Sequence, residues 1–152
     1  MTIRLLSAAL FVAILALAGA LVSPALAHGG GVKAVIDKSE QRMQVWKGDT
    51  LLYTWPASTG KKSAYTPTGT FYVQRYWAGE HNSSKYGTKM IDTVYYDGTR
   101  AIHGIDDPDK LALIGVQGVS MGCTVLSPQH AKIFFDLARS HKTSQVKIVI
   151  QQ

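Results

Sequence analysis

Short runs in which apolar and polar residues alternate make up most of the chain beyond its N-terminal segment. Alternation with a period of two is typical of half-buried β-strands, and aromatic and β-branched residues support the same interpretation. Turn-forming segments separate the runs, among them a polar loop over residues 78–88 and the Asp97-Gly98 dipeptide, which favours a tight hairpin. The pattern predicts strands over residues 32–37, 42–46, 51–55, 69–77, 93–96, 99–103 and 146–150.

One later segment follows a helical period instead. Ser127 is suited to cap a helix, and Pro128 suits its first turn. The apolar face that we predict for this helix consists of Ile133, Phe134, Leu137 and Ala138. A shorter helix is predicted over residues 106–113. With no repeat and no internal linker, the pattern predicts one mostly antiparallel β domain that carries one or two helices.

The N-terminal segment has the pattern of a secretory signal peptide. Arg4 gives it a positive start, an apolar run follows, and Ala25-Leu26-Ala27 offers small residues at the spacing that a signal peptidase requires. A membrane anchor is the alternative, because the run approaches the roughly 18 apolar residues that spanning needs. We predict an exported, periplasmic or cell-wall-associated protein with no stable membrane insertion after cleavage. Its predicted segments are a signal peptide at 1–27, a flexible tail at 28–31 and a folded domain at 32–152.

Charge and cysteine content narrow the possible partners. The chain has 16 Lys and Arg against 10 Asp and Glu residues, a formal net charge of +6, which favours anionic neighbours such as cell-wall polymer. The cations are scattered and form no nucleic-acid motif, so nucleic acid is not a predicted partner. The single cysteine, Cys123, cannot form an internal disulfide. It is a buried bystander, an intermolecular bridge or a reactive thiol.

Cys123 and His103 are the candidate catalytic pair. Cys123 follows Gly122, and consecutive N–H groups at these two positions are suited to an oxyanion hole. His103, at the end of a predicted strand, is the candidate base, and the Gly104 carbonyl is an acceptor that would orient its ring. Which ring nitrogen takes which role stays open. A buried apolar cysteine and a structural histidine are the alternatives.

Several motifs resemble those of the L,D-transpeptidase catalytic domain family. Ile102-His103-Gly104 and Ser120-Met121-Gly122-Cys123, with the sixteen residues 104–119 between His103 and Ser120, are similar to the family's histidine and cysteine signature. The resemblance extends over about 32–150 and implies a β-sandwich-like fold, with 32–152 as the catalytic domain. Further matches lie at residues 35–37, 41–43, 58–60, 66–71 and 126–128.

The resemblance also implies a mechanism. Cys123 would attack a peptidoglycan tetrapeptide stem and form a thioester, with His103 as base and then acid. Gly104 would orient His103, while Gly122 and Cys123 would supply the oxyanion N–H groups. A second stem, a D-amino acid, water or a protein would be the acceptor. The family uses no metal and no organic cofactor, and carbapenem-type inhibitors are expected to bind.

Two departures from the family signature change the expected substrate contacts. Met121 stands where the family usually has histidine, and Val125 stands where it often has arginine. Neither side chain can pair with a carboxylate. Lys85, Lys89 and Arg100 are possible substitutes, although the sequence does not place them near the site. The residues that we predict to contact substrate are Ser120, Met121, Gly122 and Tyr86.

These departures keep a second function open, namely a wall-binding module of the same fold with little catalysis. A periplasmic metal-binding protein is a third possibility, but its candidate ligands lack a metal-ligand spacing. Those ligands are His28, His81, His103 and Cys123. We also expect His103 and the local N–H groups to lower the pKa of the Cys123 thiol.

Overall fold

The computed structural model describes residues 30–152, so the predicted signal peptide lies outside the described residues. This part of the chain forms nine β-strands and two α-helices, which are α1 (Pro108–Leu111) and α2 (Pro128–Arg139). No helix in it is both long and apolar enough to span a membrane. The strands are β1 (Val32–Asp37), β2 (Arg42–Lys47), β3 (Thr50–Pro56), β4 (Gly69–Tyr72), β5 (Arg75–Asn82), β6 (Lys89–Asp97), β7 (Arg100–Gly104), β8 (Thr124–Leu126) and β9 (Val146–Gln151).

The strands form two sheets that share one hydrophobic core with α2. One sheet has the order β3-β2-β1-β9-β4 and the other β5-β6-β7-β8. Pairing is antiparallel except between β1 and β9 and between β7 and β8. Inward-facing residues of both sheets and of α2 make up the core, as the alternation predicted. The predicted fold class, a mainly β and mostly antiparallel sandwich-like domain with two helices, is confirmed.

The predicted strand over 69–77 is wrong, because the chain crosses from one sheet to the other within it. The Val73 N–H donates to the Val146 carbonyl of the first sheet at 3.1 Å, and the Gln74 N–H donates to Tyr95 of the second at 2.8 Å. The segment is therefore two strands, β4 and β5. The latter continues to Asn82, where a loop was predicted, and its polar composition suits a largely exposed edge strand.

Helix α2 begins as predicted but buries a face shifted from the predicted one. The Ser127 hydroxyl accepts a hydrogen bond from the His130 N–H, which caps the helix. Ile133 is 41% exposed, so its assignment to the core face is wrong. The buried residues follow the helical spacing of three and four from an alanine that the prediction omitted, and they are Ala131, Phe134, Phe135 and Ala138.

Candidate active site

Two neighbouring parallel strands bring Cys123 and His103 to the same side of the second sheet. Ile102 of β7 pairs with Thr124 of β8, and Cys123 directly precedes β8. Ile102 and Leu126 belong to the main core. The side chains that alternate with them, His103 and Cys123, therefore point to the opposite face of the sheet.

A cavity of about 420 Å³ opens on this face. Met121 and Tyr86 are both 42% exposed at its edge, whereas His103 is only 5% exposed. Two further predicted residues, Gly104 and Gly122, do not line it but directly follow His103 and precede Cys123 in the chain. The predicted site residues that line the cavity are Tyr86, His103, Ser120, Met121 and Cys123. Strand β7, the loop before β8 and the loop after β5 thus meet at one cavity.

The orientation of the His103 ring is fixed by its own neighbour in the chain. Nδ1 lies 3.0 Å from the Gly104 carbonyl oxygen, and because a carbonyl only accepts, Nδ1 carries the proton. Burial lowers the pKa of His103 to about 4, although the bond to Gly104 acts in the opposite direction. The ring is therefore neutral near pH 7, and Nε2 is left with a lone pair that can accept a proton.

Gly104 is a glycine because the start of α2 packs directly on it. A Cβ at this position would lie 3.0 Å from the Ala131 Cβ, 3.2 Å from the Pro128 Cα and 3.3 Å from the Ile91 Cβ. Two of these three neighbours belong to α2. Close packing on glycine therefore couples the position of the carbonyl that holds His103 to the position of the helix.

The loop before the cysteine is held by the Ser120 side chain. Its hydroxyl donates to the Cys123 carbonyl at 2.6 Å and accepts from the Gly122 N–H at 3.1 Å. Gly122 has φ +114°, a conformation that favours glycine. Since the Gly122 N–H already has an acceptor, the Cys123 N–H is the better candidate to bind an oxyanion. The prediction that both N–H groups serve this role finds support for only one of them.

The segment around Thr66, which was predicted only as a turn, also holds the loop before Cys123. The buried Thr66 hydroxyl accepts from the Gly60 N–H at 2.9 Å and donates to the Gly122 carbonyl at 3.1 Å. Ser58 and Val125 also exchange backbone hydrogen bonds of 2.9 and 2.7 Å. No local sequence signal could have revealed these contacts, because 56 residues separate Thr66 from Gly122.

The expectation of a lowered thiol pKa is wrong. Burial raises the pKa of Cys123, and this outweighs the lowering by the Ala101 backbone and by the charge of Arg100. A raised cysteine pKa and a lowered histidine pKa favour a neutral thiol and a neutral imidazole in the same cavity.

Basic side chains surround the cavity. The three cations considered from the sequence, Lys85, Lys89 and Arg100, all line it. Lys61 and Lys110 line it as well and carried no sequence signal. Lys89 is paired with Asp106 at 2.8 Å and with Glu80 at 3.3 Å, and Lys110 is paired with Asp107 at 2.7 Å. Positive charge therefore reaches the site without an arginine at position 125.

Two other histidines, His81 and His130, are engaged in aromatic contacts. His81 stacks on Trp77 with ring centroids 4.7 Å apart, and its Nε2 lies 2.9 Å from the Tyr95 hydroxyl. His130 stacks on Trp55 at 4.8 Å. Within residues 30–152, no group of three or more His, Cys, Asp and Glu side chains is arranged to hold a metal ion. His28, the remaining proposed ligand, lies outside the described residues.

Comparisons with solved structures agree with this fold. An L,D-transpeptidase from Mycobacterium smegmatis is 24% identical, with a TM-score of 0.71 over 82% of this chain and 60% of that one. LdtMt1 in complex with imipenem is 25% identical, with a TM-score of 0.69 over 80% and 59%. L,D-transpeptidase 3 from Mycobacterium tuberculosis, with a faropenem-derived adduct, is 19% identical, with a TM-score of 0.65 over 80% and 60%. The chain thus spans about three fifths of the length of these structures.

A comparison with curated protein sequences found no match. The sequence profile of the L,D-transpeptidase catalytic domain, in contrast, matches residues 31–150. That range contains every predicted site residue and all of the strands and helices described above, except for the last residue of β9. The chain belongs to the L,D-transpeptidase catalytic domain family.

Proposed function

We propose that the protein is an exported L,D-transpeptidase that acts on peptidoglycan stem peptides through a thioester on Cys123. One observation carries this proposal: Cys123 and His103 line one cavity, and the Gly104 carbonyl fixes the tautomer of His103. A neutral imidazole with a free Nε2 is the form that can remove a thiol proton. Export is supported by the sequence pattern of residues 1–27 alone.

In the first half-reaction, Nε2 of His103 takes the proton from the Cys123 thiol as the sulfur attacks the carbonyl carbon of the donor stem. The N–H of Cys123 stabilises the negative oxygen that forms. The carbon–nitrogen bond to the terminal D-amino acid then breaks. His103 returns its proton to the leaving amine, so the thioester forms with the imidazole again neutral.

In the second half-reaction, the amine of an acceptor attacks the thioester. His103 removes a proton from the attacking nitrogen and returns it to the sulfur as the carbon–sulfur bond breaks. Both half-reactions use the same base, and neither requires a metal or an organic cofactor. The acceptor is a second stem, a D-amino acid or a protein.

We also propose that carbapenem-type inhibitors acylate Cys123. The relatives solved with imipenem and with a faropenem-derived adduct share the fold of this chain. A β-lactam carbonyl is an activated acyl donor of the kind that the Cys123–His103 pair is suited to attack. The basic cavity is also complementary to the carboxylate that such inhibitors carry.

A wall-binding module of the same fold is the second candidate. The raised pKa of Cys123 and the presence of Met121 and Val125 at two signature positions favour it. A module of this kind would bind stem peptides through the basic cavity without forming a thioester. Its binding would be insensitive to removal of the thiol.

A D-amino acid exchange assay separates the two candidates. The protein is incubated with a tetrapeptide stem that ends in D-Ala and with a second D-amino acid, and the products are followed by liquid chromatography and mass spectrometry. We expect release of D-Ala and formation of the exchanged stem. Both products should be absent with Cys123→Ala and strongly reduced with His103→Gln. Binding of the stem without any exchange by the folded wild type would support the module instead.

A further inference from the structure

Arg100 is held at the edge of the cavity by the hairpin that precedes His103. The two-residue turn Gly98-Thr99 joins β6 to β7, and Arg100 is the first residue of β7. Its Nη1 lies 2.7 Å from a carboxylate oxygen of Asp97. The guanidinium Nε lies 3.7 Å from the position that a Cβ of Gly122 would occupy. The group thus lies beside the loop that carries the nucleophile.

The contact with Asp97 leaves part of the Arg100 guanidinium group without a partner among the described side chains. A guanidinium has five N–H donors in a planar arrangement, and Asp97 engages only one end of it. Arg100 lines the cavity together with Cys123. Among the described residues that line this cavity, Arg100 is the one arginine. Bidentate recognition of a carboxylate is the task for which this side chain is preferred over lysine.

The acidic residues of the cavity do not compete for this group. Asp106 is bound to Lys89 and Asp107 to Lys110, with nitrogen–oxygen distances of 2.8 and 2.7 Å. The charge of Arg100 also reaches the nucleophile, because it lowers the pKa of Cys123 against the effect of burial. A carboxylate bound by the free donors of Arg100 would therefore lie next to the reacting sulfur.

We propose that Arg100 is a specificity-determining residue that binds a carboxylate of the acyl donor next to the carbonyl that Cys123 attacks. The ligand class is a peptide acyl donor with a free carboxylate close to its reacting carbonyl. Asp97 positions the guanidinium for this contact. This inference rests on the proposed function, but it concerns the binding of a negatively charged acyl donor rather than the transfer reaction that follows.

Alkylation of Cys123 tests the inference without any transpeptidation. Iodoacetate and iodoacetamide react with the same thiolate, which displaces iodide, and they differ in carrying a carboxylate or a neutral amide. The ratio of the two second-order rates cancels the reactivity of the thiol and reports on carboxylate binding beside it. Rates are measured by intact-protein mass spectrometry for the wild type, Arg100→Gln, Arg100→Lys and Lys110→Gln. Lys110→Gln is the matched control, since it removes another cation of the same cavity.

We expect the iodoacetate-to-iodoacetamide ratio to fall about tenfold in Arg100→Gln, the size expected when a charged hydrogen bond is lost. In Arg100→Lys the ratio should fall less than in Arg100→Gln, because a positive charge remains. In Lys110→Gln the ratio should change far less than in Arg100→Gln. An unchanged ratio in Arg100→Gln would overturn the inference. An equal fall of the ratio in Lys110→Gln would also overturn it, because it would indicate a general electrostatic effect of the cavity. So would an equal fall of the iodoacetate and iodoacetamide rates in Arg100→Gln, because Arg100 would then only activate the thiol. None of these outcomes depends on whether the protein exchanges D-amino acids.

Discussion

The burial of His103 makes the stability of the protein depend on pH in a defined direction. Its pKa falls from 6.5 to about 4, chiefly because of burial. Between these two values the unfolded chain binds a proton at this residue and the folded chain does not. The stability contribution is therefore fully present above about pH 6.5 and is lost as the pH falls towards 4.

The magnitude follows from the same two values. A fall from 6.5 to about 4 corresponds to about 3 kcal/mol of differential interaction between the two protonation states. This is a large part of the roughly 5–15 kcal/mol by which a domain is usually stable. Burial also lowers the pKa of His81 and of His130, so these residues contribute in the same direction. The pH dependence of the stability of the wild type alone would therefore not separate the contribution of His103 from theirs.

The assay compares the free energy of unfolding in urea for the wild type and for His103→Gln, from about pH 4.5 to about pH 8. Glutamine does not titrate, and its amide can still donate to the Gly104 carbonyl. We expect the wild type to lose up to about 3 kcal/mol more than the variant on acidification. Parallel curves for the two proteins would refute the assignment of His103 as a buried, neutral base.

Three further predictions address the residues around the pair. Gly104→Ala should cost about 1–3 kcal/mol of stability, because the added methyl group overpacks against Ala131. It should also lower the rate of D-amino acid exchange, because the carbonyl that holds His103 moves. An exchange rate equal to that of the wild type would contradict this. The pH–rate profile for iodoacetamide at Cys123 should have its midpoint above the value of about 8.5 for free cysteine, and a midpoint below it would contradict the raised pKa. Thr66→Val should destabilise the fold by about 1–3 kcal/mol in urea unfolding while Thr66→Ser does not, and equal stabilities would mean that the hydroxyl does not hold the loop.

The strand pattern could be predicted from the sequence wherever one face of a strand is buried. The alternation over 32–37 matches β1, in which Val32, Ala34 and Ile36 are buried. The sheet crossing at Val73 was not predictable, because the residues on both sides are equally suited to a strand. The outer half of β5 was missed for a different reason, since an exposed edge strand needs no apolar alternation.

The candidate site could be predicted only for those residues whose type and neighbours in the sequence indicate a chemical role. A lone cysteine after glycine and a histidine before glycine identified Cys123 and His103, and the structure brings both to one cavity. The sign of the thiol pKa shift was not predictable, because it depends on how deeply the fold buries the sulfur. The hairpin that carries Arg100 was predicted, but the place of Arg100 beside Cys123 depends on the pairing of β7 with β8, which are distant in the sequence.

The nucleophilic role of Cys123 is tested most directly by the intact mass of the protein after incubation with a carbapenem, beside a Cys123→Ala control. We expect a mass gain of one inhibitor on the wild type and none on the variant. We also expect His103→Gln to slow the gain, because the neutral thiol then lacks its base. A folded wild type that gains no mass would contradict the claim that Cys123 is a competent nucleophile.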